Sequence, residues 1–199
     1  IIGASGSGKS SLVRAGLIPT LKRGGTIHTA HVITPSEHPL AALPSDIKNG
    51  GARKNLLFVD QFEELFTLCQ SKSQRKSFID TILHIFEKGT ATVIIALRAD
   101  FYAACAPYPN LRKYLAQNQE YIGPMNADEL HRVIEEPAHV NGWLLEPGLT
   151  DLLLRDIGAD SERTPEPGAL PLLSHALLET WHRRNGRMLT LAGYAESGG

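Results

Sequence analysis

The stretch that decides the fold is IIGASGSGKSSLVRAGL, residues 1–17. Within it Gly3, Gly8, Lys9 and Ser10 stand at the spacing G-x-x-x-x-G-K-[ST]. Each residue type has a task there. The glycines let successive backbone N–H groups turn inward around the β- and γ-phosphates, where larger residues would clash. The helix that follows aims its positive N-terminal end at the same anion. Lys9 brings a mobile charge to the terminal phosphates, and the Ser10 hydroxyl is a ligand for Mg²⁺. The candidate nucleotide contacts are therefore Gly3, Ala4, Ser5, Gly6, Ser7, Gly8, Lys9, Ser10 and the adjoining Ser11. Ile1 and Ile2 read as the end of a buried strand. Residues 9–21 read as a helix, with Leu12, Leu17, Ile18 and Leu21 near helical spacing and Pro19 kinking or ending it.

Outward from that loop, strand-like and helix-like segments alternate. Residues 29–34 predict a second strand, followed by a Pro-, Ser-, Gly- and Asn-rich loop over 35–55. Residues 56–59 form a compact apolar run ending in Asp60, the pattern of a central parallel strand buried on both faces. From 73 to 87, Phe78, Ile79, Ile82, Leu83 and Phe86 recur at helical spacing, and Gly89 supplies a stop. Residues 92–97 make a third β-rich run that leads into Arg98 and Asp100, and a short strand is expected at 120–122. This alternation predicts an α/β fold, a P-loop parallel sheet sandwiched by helices.

Past Pro124 the pattern turns helical. Asn126 and Glu129 form a capping-box pair, and Pro137 is expected to end that helix. Leu149, Leu152, Leu153 and Ile157 form one stripe, and Leu170 to Trp181 another that closes near Gly186. The expected organisation is a P-loop core over 1–123, a small all-helical domain over 124–185, and a linker over 186–199.

The second chemical element is LLFVDQFEELF, residues 56–66. Asp60, at the carboxyl end of its strand, lies where open α/β sheets bind ligands, and with Ser10 it is the candidate metal residue. Hydrolysis also needs a group that orients or deprotonates water. Gln61 occupies the place where many ATPases carry glutamate, so Glu63 and Glu64 are the candidates, with Glu63 slightly favoured. Arg98 ends the third apolar run on the same sheet edge. It is read equally as a γ-phosphate contact and as an ion-pair partner of Asp100.

Composition narrows the function further. A chain of 199 residues with 42% hydrophobic and 21% charged residues is globular rather than disordered. The formal net charge of -1 provides no overall basic field for nucleic acid or anionic lipid. Arg53, Lys54 and the basic residues between Lys72 and Lys76 read as solvated surface. Cys69 and Cys105 are too few for a disulfide framework and fit a reducing, cytoplasmic setting. No apolar run is long enough to span a bilayer, and no secretory signal precedes the first motif. The histidines are scattered, with no metal-ligand set around His28 and His31. No Asn-Lys-x-Asp guanine motif appears, so adenine is expected over guanine. The absence of a starting methionine reads as an excerpt of a longer protein.

Five stretches carry a family resemblance: GASGSGKSSLVRAGLIP (3–19), LLFVDQFEELFTLC (56–69), TVIIALRADFY (92–102), YIGPMNADEL (121–130) and EPGALPLLSHALLETW (166–181). In this order they resemble the novel STAND NTPase domain, a signal-transduction ATPase related to NACHT and AP-ATPase switches within the AAA+-like group. That family occurs in multidomain proteins, often joined to WD repeats or effector domains. The resemblance implies ATP and ADP as ligands with Mg²⁺, slow hydrolysis, and an ATP-promoted opening with self-association. It supports Glu63 as the acid near water and Arg98 as the γ-phosphate sensor. It also places Gly168 and Pro171, the Gly-x-x-Pro positions of the helical domain, near the nucleotide. Two features depart from the family pattern: the adenine-side segment before the glycine loop, and the short stretch between the second strand and Asp60. The alternatives are a scaffold that holds nucleotide without consuming it, and an AAA+-like ATPase acting on DNA.

Overall fold

The computed structural model of the chain describes residues 1–48, 54–159 and 168–198. Arg53 of the basic cluster, part of the expected 35–55 loop, Glu166 and Pro167 of the last family stretch, and Gly199 lie outside the described residues. The chain forms two units. One contains Ile1–Ala4 and Gly8–Ile122, and the other contains Ser5–Ser7 and Gly123–Gly199.

In the first unit, β1 (Ile2–Gly3) precedes α1 (Lys9–Ser11), which runs through a π-helical turn, Leu12–Leu17, into α2 (Ile18–Arg23). β2 (Thr29–Ile33), a 3₁₀ turn at Pro39–Ala42 and α3 (Ser45–Lys48) come next. They are followed by β3 (Asn55–Val59), α4 (Glu64–Thr67) and α5 (Lys72–Glu87). The unit closes with β4 (Ala91–Ile95), β5 (Leu97–Arg98), a 3₁₀ segment at Ala99–Cys105, α6 (Pro109–Gln117) and β6 (Tyr121–Ile122). Part of the segment expected as loop over 35–55 is thus helical. Pro19 does not end its helix. It sits just after the π turn, where Ile18 N–H already bonds back to Val13 O, five residues away, and the chain stays helical to Arg23.

The strands form two parallel three-stranded sheets, ordered β2-β3-β4 and β5-β1-β6. Ala96 joins them. Its N–H bonds to Val59 O at 2.9 Å, while Leu97 N–H bonds to Ile1 O at 2.9 Å, so the run 91–98 passes from β3 to β1 as its partner. Leu56, Leu57, Phe58 and Val59 of β3 are completely buried, as the uninterrupted apolar run requires of a strand covered on both faces. α5 starts at Ser71, whose hydroxyl accepts from Gln74 N–H, and buries Phe78, Ile79, Ile82, Leu83 and Ile85. Phe86 departs from the expected stripe. It is 42% exposed, its ring set edge-on to Tyr114 at 5.1 Å.

The second unit contains α7 (Ala127–Val140), β7 (Leu144–Leu145), α8 (Leu149–Asp156), α9 (Ala169–His182), β8 (Met188–Leu189) and α10 (Leu191–Ala195). Asn126 and Glu129 make the reciprocal capping box, with both bonds at 2.9 Å. Pro137 lies inside α7 instead of ending it. The carbonyl that loses its donor belongs to Val133, a residue 43% exposed, and the helix ends one turn later. The unit is helical but not entirely so, because β7 and β8 pair in parallel. Residues 186–198, read from sequence as linker, carry β8 and α10. Their Leu189 and Tyr194 are buried in the same core as Leu130, Leu149 and Leu153. Among the described residues no helix is long and apolar enough to cross a membrane.

Candidate functional site

The carboxyl ends of β1, β3 and β5 all leave the parallel sheets on one edge. Gly3 is registered with Arg98, and Val59 with Ile95, one residue before Ala96. Asp60 is therefore not on the strand next to the glycine loop. The 91–98 run separates the two, and Ser10 spans the distance: its hydroxyl donates to Asp60 Oδ1 at 2.7 Å. Gly8 starts α1 at φ 85°, in the left-handed region that favours glycine. Lys9 is 8% exposed, and its Nζ donates to Gly3 O at 3.0 Å and Ala4 O at 2.6 Å. Two of its three donors are thereby used. Burial lowers the Lys9 pKa from the usual lysine range, with Glu63 opposing the shift and Arg98 reinforcing it.

Asp60 is 3% exposed and accepts at both oxygens. Oδ1 takes the Ser10 hydroxyl and, at 3.0 Å, Gln61 N–H. Oδ2 takes Arg14 Nε–H at 3.0 Å, and an Arg14 terminal nitrogen lies at the same distance. Gln61 adopts φ 49°, the one positive φ at a non-glycine residue among those described. This turn sends Phe62 back under the sheet, where its N–H bonds to Ala96 O at 2.9 Å.

The two glutamates separate. Glu63 Oε2 accepts from Arg98 N–H at 3.2 Å, which fixes its carboxylate at the edge shared with Lys9 and Asp60. Glu64 is the first residue of α4, and its side chain has no hydrogen bond to a described residue. The Arg98 guanidinium is committed to Asp100, with Nε–Oδ1 at 3.1 Å and a terminal nitrogen to Oδ2 at 2.7 Å. This pair raises the Arg98 pKa and lowers that of Asp100. The structure thus contains the ion-pair alternative for Arg98, at the edge where the phosphate role requires it.

The other expected contacts are distributed as follows. Ser11 is exposed on α1. Ser5–Ser7 belong to the second unit. There a Cβ on Gly6 (φ 71°) would lie 3.1 Å from Pro171 Cγ and 3.5 Å from Gly168 Cα. Ser7 Oγ is buried without a hydrogen-bond partner among the described residues. Among the described residues no group of three or more His, Cys, Asp or Glu side chains could hold a metal ion. The Ser10–Asp60 oxygen pair nevertheless fits Mg²⁺, which retains waters and takes phosphate oxygens rather than needing an all-protein cage. A cavity of about 790 Å³ in the first unit is lined by Leu12, Leu83, Phe86, Val93 and Tyr114, and by no residue of this site. Sequence reasoning missed Arg14. The available signal was its place four residues after Ser10, on the same face of an α-helix.

A glycine loop with buried lysine, its serine bonded to a strand-end aspartate, and a third strand between them define a P-loop NTPase domain of AAA+-like type. The chain belongs to the Novel STAND NTPase 1 family, whose model matches residues 1–199. Among solved structures, Aeropyrum pernix ORC2 in its ADP form has a TM-score of 0.64 at 16% identity, covering 98% of this chain and 61% of that one. The ORC2 structure with ADPNP-ADP complexes gives 0.63 at 16% identity, covering 98% and 60%. Thermotoga maritima RuvB, titled a Holliday junction branch migration motor, gives 0.57 at 15% identity, covering 98% and 59%. At these identities the likeness is one of fold, and the chain spans about three fifths of each of those proteins. No curated protein matches the chain.

Proposed function

We propose that the chain is the Mg²⁺-dependent, ATP-binding and slowly ATP-hydrolysing module of a multidomain regulatory switch. The observation that carries this reading is the 2.7 Å bond from Ser10 Oγ to Asp60 Oδ1 beside the buried Lys9. It links the glycine loop's serine to the strand-end aspartate across an intervening strand. Ser10 and Asp60 would hold Mg²⁺, which when bound neutralises charge on the β- and γ-phosphates. Lys9 and the backbone N–H groups of Gly3 to Ser11 would hold the phosphates. Glu63, held in place by Arg98 N–H, would orient water. Arg98 would contact the γ-phosphate after exchanging Asp100 for it.

The ADPNP and ADP forms of the ORC2 neighbour support an adenine nucleotide as ligand. Self-association on ATP binding, fused repeat or effector domains and a cytoplasmic setting are part of the same proposal. The test is Mg²⁺-dependent ATP turnover by the intact protein and by Lys9→Ala. Turnover that is lost in the variant is expected, and equal turnover in both would remove the enzymatic reading. A second reading, a scaffold that holds ATP unchanged, is favoured by Gln61 beside Asp60 and by the commitment of Arg98 to Asp100. ATP that stays bound and intact over long incubation, with Glu63→Gln indistinguishable from wild type, would select it.

A further inference from the structure

Arg14 is bound to the one buried carboxylate of the site, and neither the glycine loop nor the strand motif accounts for it. It projects from the π-helical turn Leu12–Leu17, a local widening of the helix that often marks functional positions. Its Nε–H donates to Asp60 Oδ2 and a terminal nitrogen stands 3.0 Å from the same oxygen, while Ser10 and Gln61 donate to Oδ1. An ionised carboxylate offers about four acceptor positions. Three are filled by hydrogen bonds from this chain's own donors, and the Arg14 terminal nitrogen, 3.0 Å from Oδ2, stands against the fourth.

A metal-bound water that donates to Asp60 must therefore displace one of them. Gln61 N–H is fixed by the backbone, and Ser10 is held by α1. The Arg14 side chain is 51% exposed against 5% for that of Asp60, so the Arg14 guanidinium has solvent to return to. We infer that Arg14 is a displaceable counter-ion: it neutralises Asp60 until nucleotide-bound Mg²⁺ takes its place, and so sets the Mg²⁺ concentration at which the site loads. The inference rests on the nucleotide-binding reading and concerns the same site. Arg14 is in this sense a positioning residue, acting through Asp60.

The test is a Mg²⁺ titration of the binding of a fluorescent ADP analogue to the intact protein, with EDTA as the metal-free arm. Wild type is compared with Arg14→Gln, Arg14→Ala and Arg14→Lys. An exposed partner contributes little, so the expected shift is modest: Arg14→Gln and Arg14→Ala should reach half-saturation at about two- to fivefold lower Mg²⁺. Arg14→Lys, which keeps the charge, should stay near wild type in both arms, whereas Arg14→Gln and Arg14→Ala, which leave Asp60 uncompensated beside the phosphates, should bind no more tightly than wild type in EDTA. A residue that merely supports the fold would weaken binding in both arms without moving the midpoint to lower Mg²⁺. An unshifted midpoint, or one moved to higher Mg²⁺, overturns the counter-ion role. Absence of any nucleotide binding by wild type, with or without Mg²⁺, overturns instead the reading on which it rests.

Discussion

Replacing Phe62 by alanine tests whether the site is built from the core outward. Phe62 is fully buried two residues after Asp60 and one before Glu63. Its ring meets Phe66 edge-on at 5.7 Å and lies tilted to Phe78 at 6.4 Å. A buried phenylalanine removes about 150–250 Å² from water, which at roughly 25 cal/mol/Å² corresponds to about 4–6 kcal/mol. Alanine recovers part of that area, and the two ring contacts add a smaller loss. The expected destabilisation is about 4 kcal/mol, within the range measured for Phe→Ala in cores. In a chain of this size that lowers Tm by roughly 8–16 °C. Phe62→Leu keeps most of the volume and should cost about 1–1.5 kcal/mol. Urea unfolding followed by circular dichroism gives both values. Below the melting temperature, Phe62→Ala should also reduce ATP turnover, because the turn that carries Glu63 loses its anchor. A loss under about 1 kcal/mol for Phe62→Ala, or equal losses for alanine and leucine, would refute the claim that ring packing fixes this turn.

Three further outcomes discriminate among the charged groups. Glu63→Gln should cut phosphate release at saturating ATP by about a hundredfold or more, as for loss of a positioned base, while Glu64→Gln stays within about twofold; comparable losses in both would break the assignment. Asp100→Asn frees the Arg98 guanidinium and should raise the preference for ATP over ADP by about two- to fivefold in competition binding, a small factor because both partners are exposed. Arg98→Ala should abolish that preference, and an unchanged ratio in both variants would exclude Arg98 from the phosphate. Burial pushes the Cys105 thiol up to about 11, so the native protein keeps it protonated where an unfolded chain has begun to ionise it. Iodoacetamide at pH 8 should label it at least about a hundredfold more slowly than free cysteine, and its contribution to stability should fall as pH climbs from about 9 to about 11; rapid native labelling in mass spectra would contradict this burial.

The parts of the fold that were legible are those in which one residue type has one physical use. Gly8 before Lys9 needs a positive φ, four consecutive apolar residues at 56–59 need cover on both faces, and Asn126 with Glu129 caps a helix end. Each of these is a local requirement. Pro19 and Pro137 misled for the opposite reason. A missing N–H breaks a helix only if the abandoned carbonyl has no alternative, and that depends on a π turn in one case and on an exposed face in the other. The parallel pairing of β7 with β8 is equally non-local, because two-residue strands leave no periodicity to read. In the site, the sequence pattern paired Ser10 with Asp60 and Arg98 with Asp100, but neither Arg14 on Asp60 nor the Arg98 N–H on Glu63 was legible. That Asp60 stands beyond the Arg98 run follows from strand order, which residue patterns do not encode.

The pairing within the site bears on what kind of NTPase this chain can be. Asp60 is occupied by Ser10, Gln61 and Arg14, Arg98 by Asp100, Glu63 by the Arg98 N–H, and Lys9 by two loop carbonyls. Under the proposed function, ligand binding would exchange partners rather than satisfy bare charges, and its affinity would be the difference between two sets of contacts of similar strength. Small changes at Arg14 or Asp100, each half-exposed and each able to hydrate when released, can then move the balance by the factors predicted above. An enzyme built for rapid turnover gains most from charges preorganised toward the transition state. Under the proposed function, a site whose charges are held internally and released by the ligand would have instead the energetics of a two-state element that nucleotide biases. Under the proposed function, slow hydrolysis then follows from the same contacts that make the site switchable.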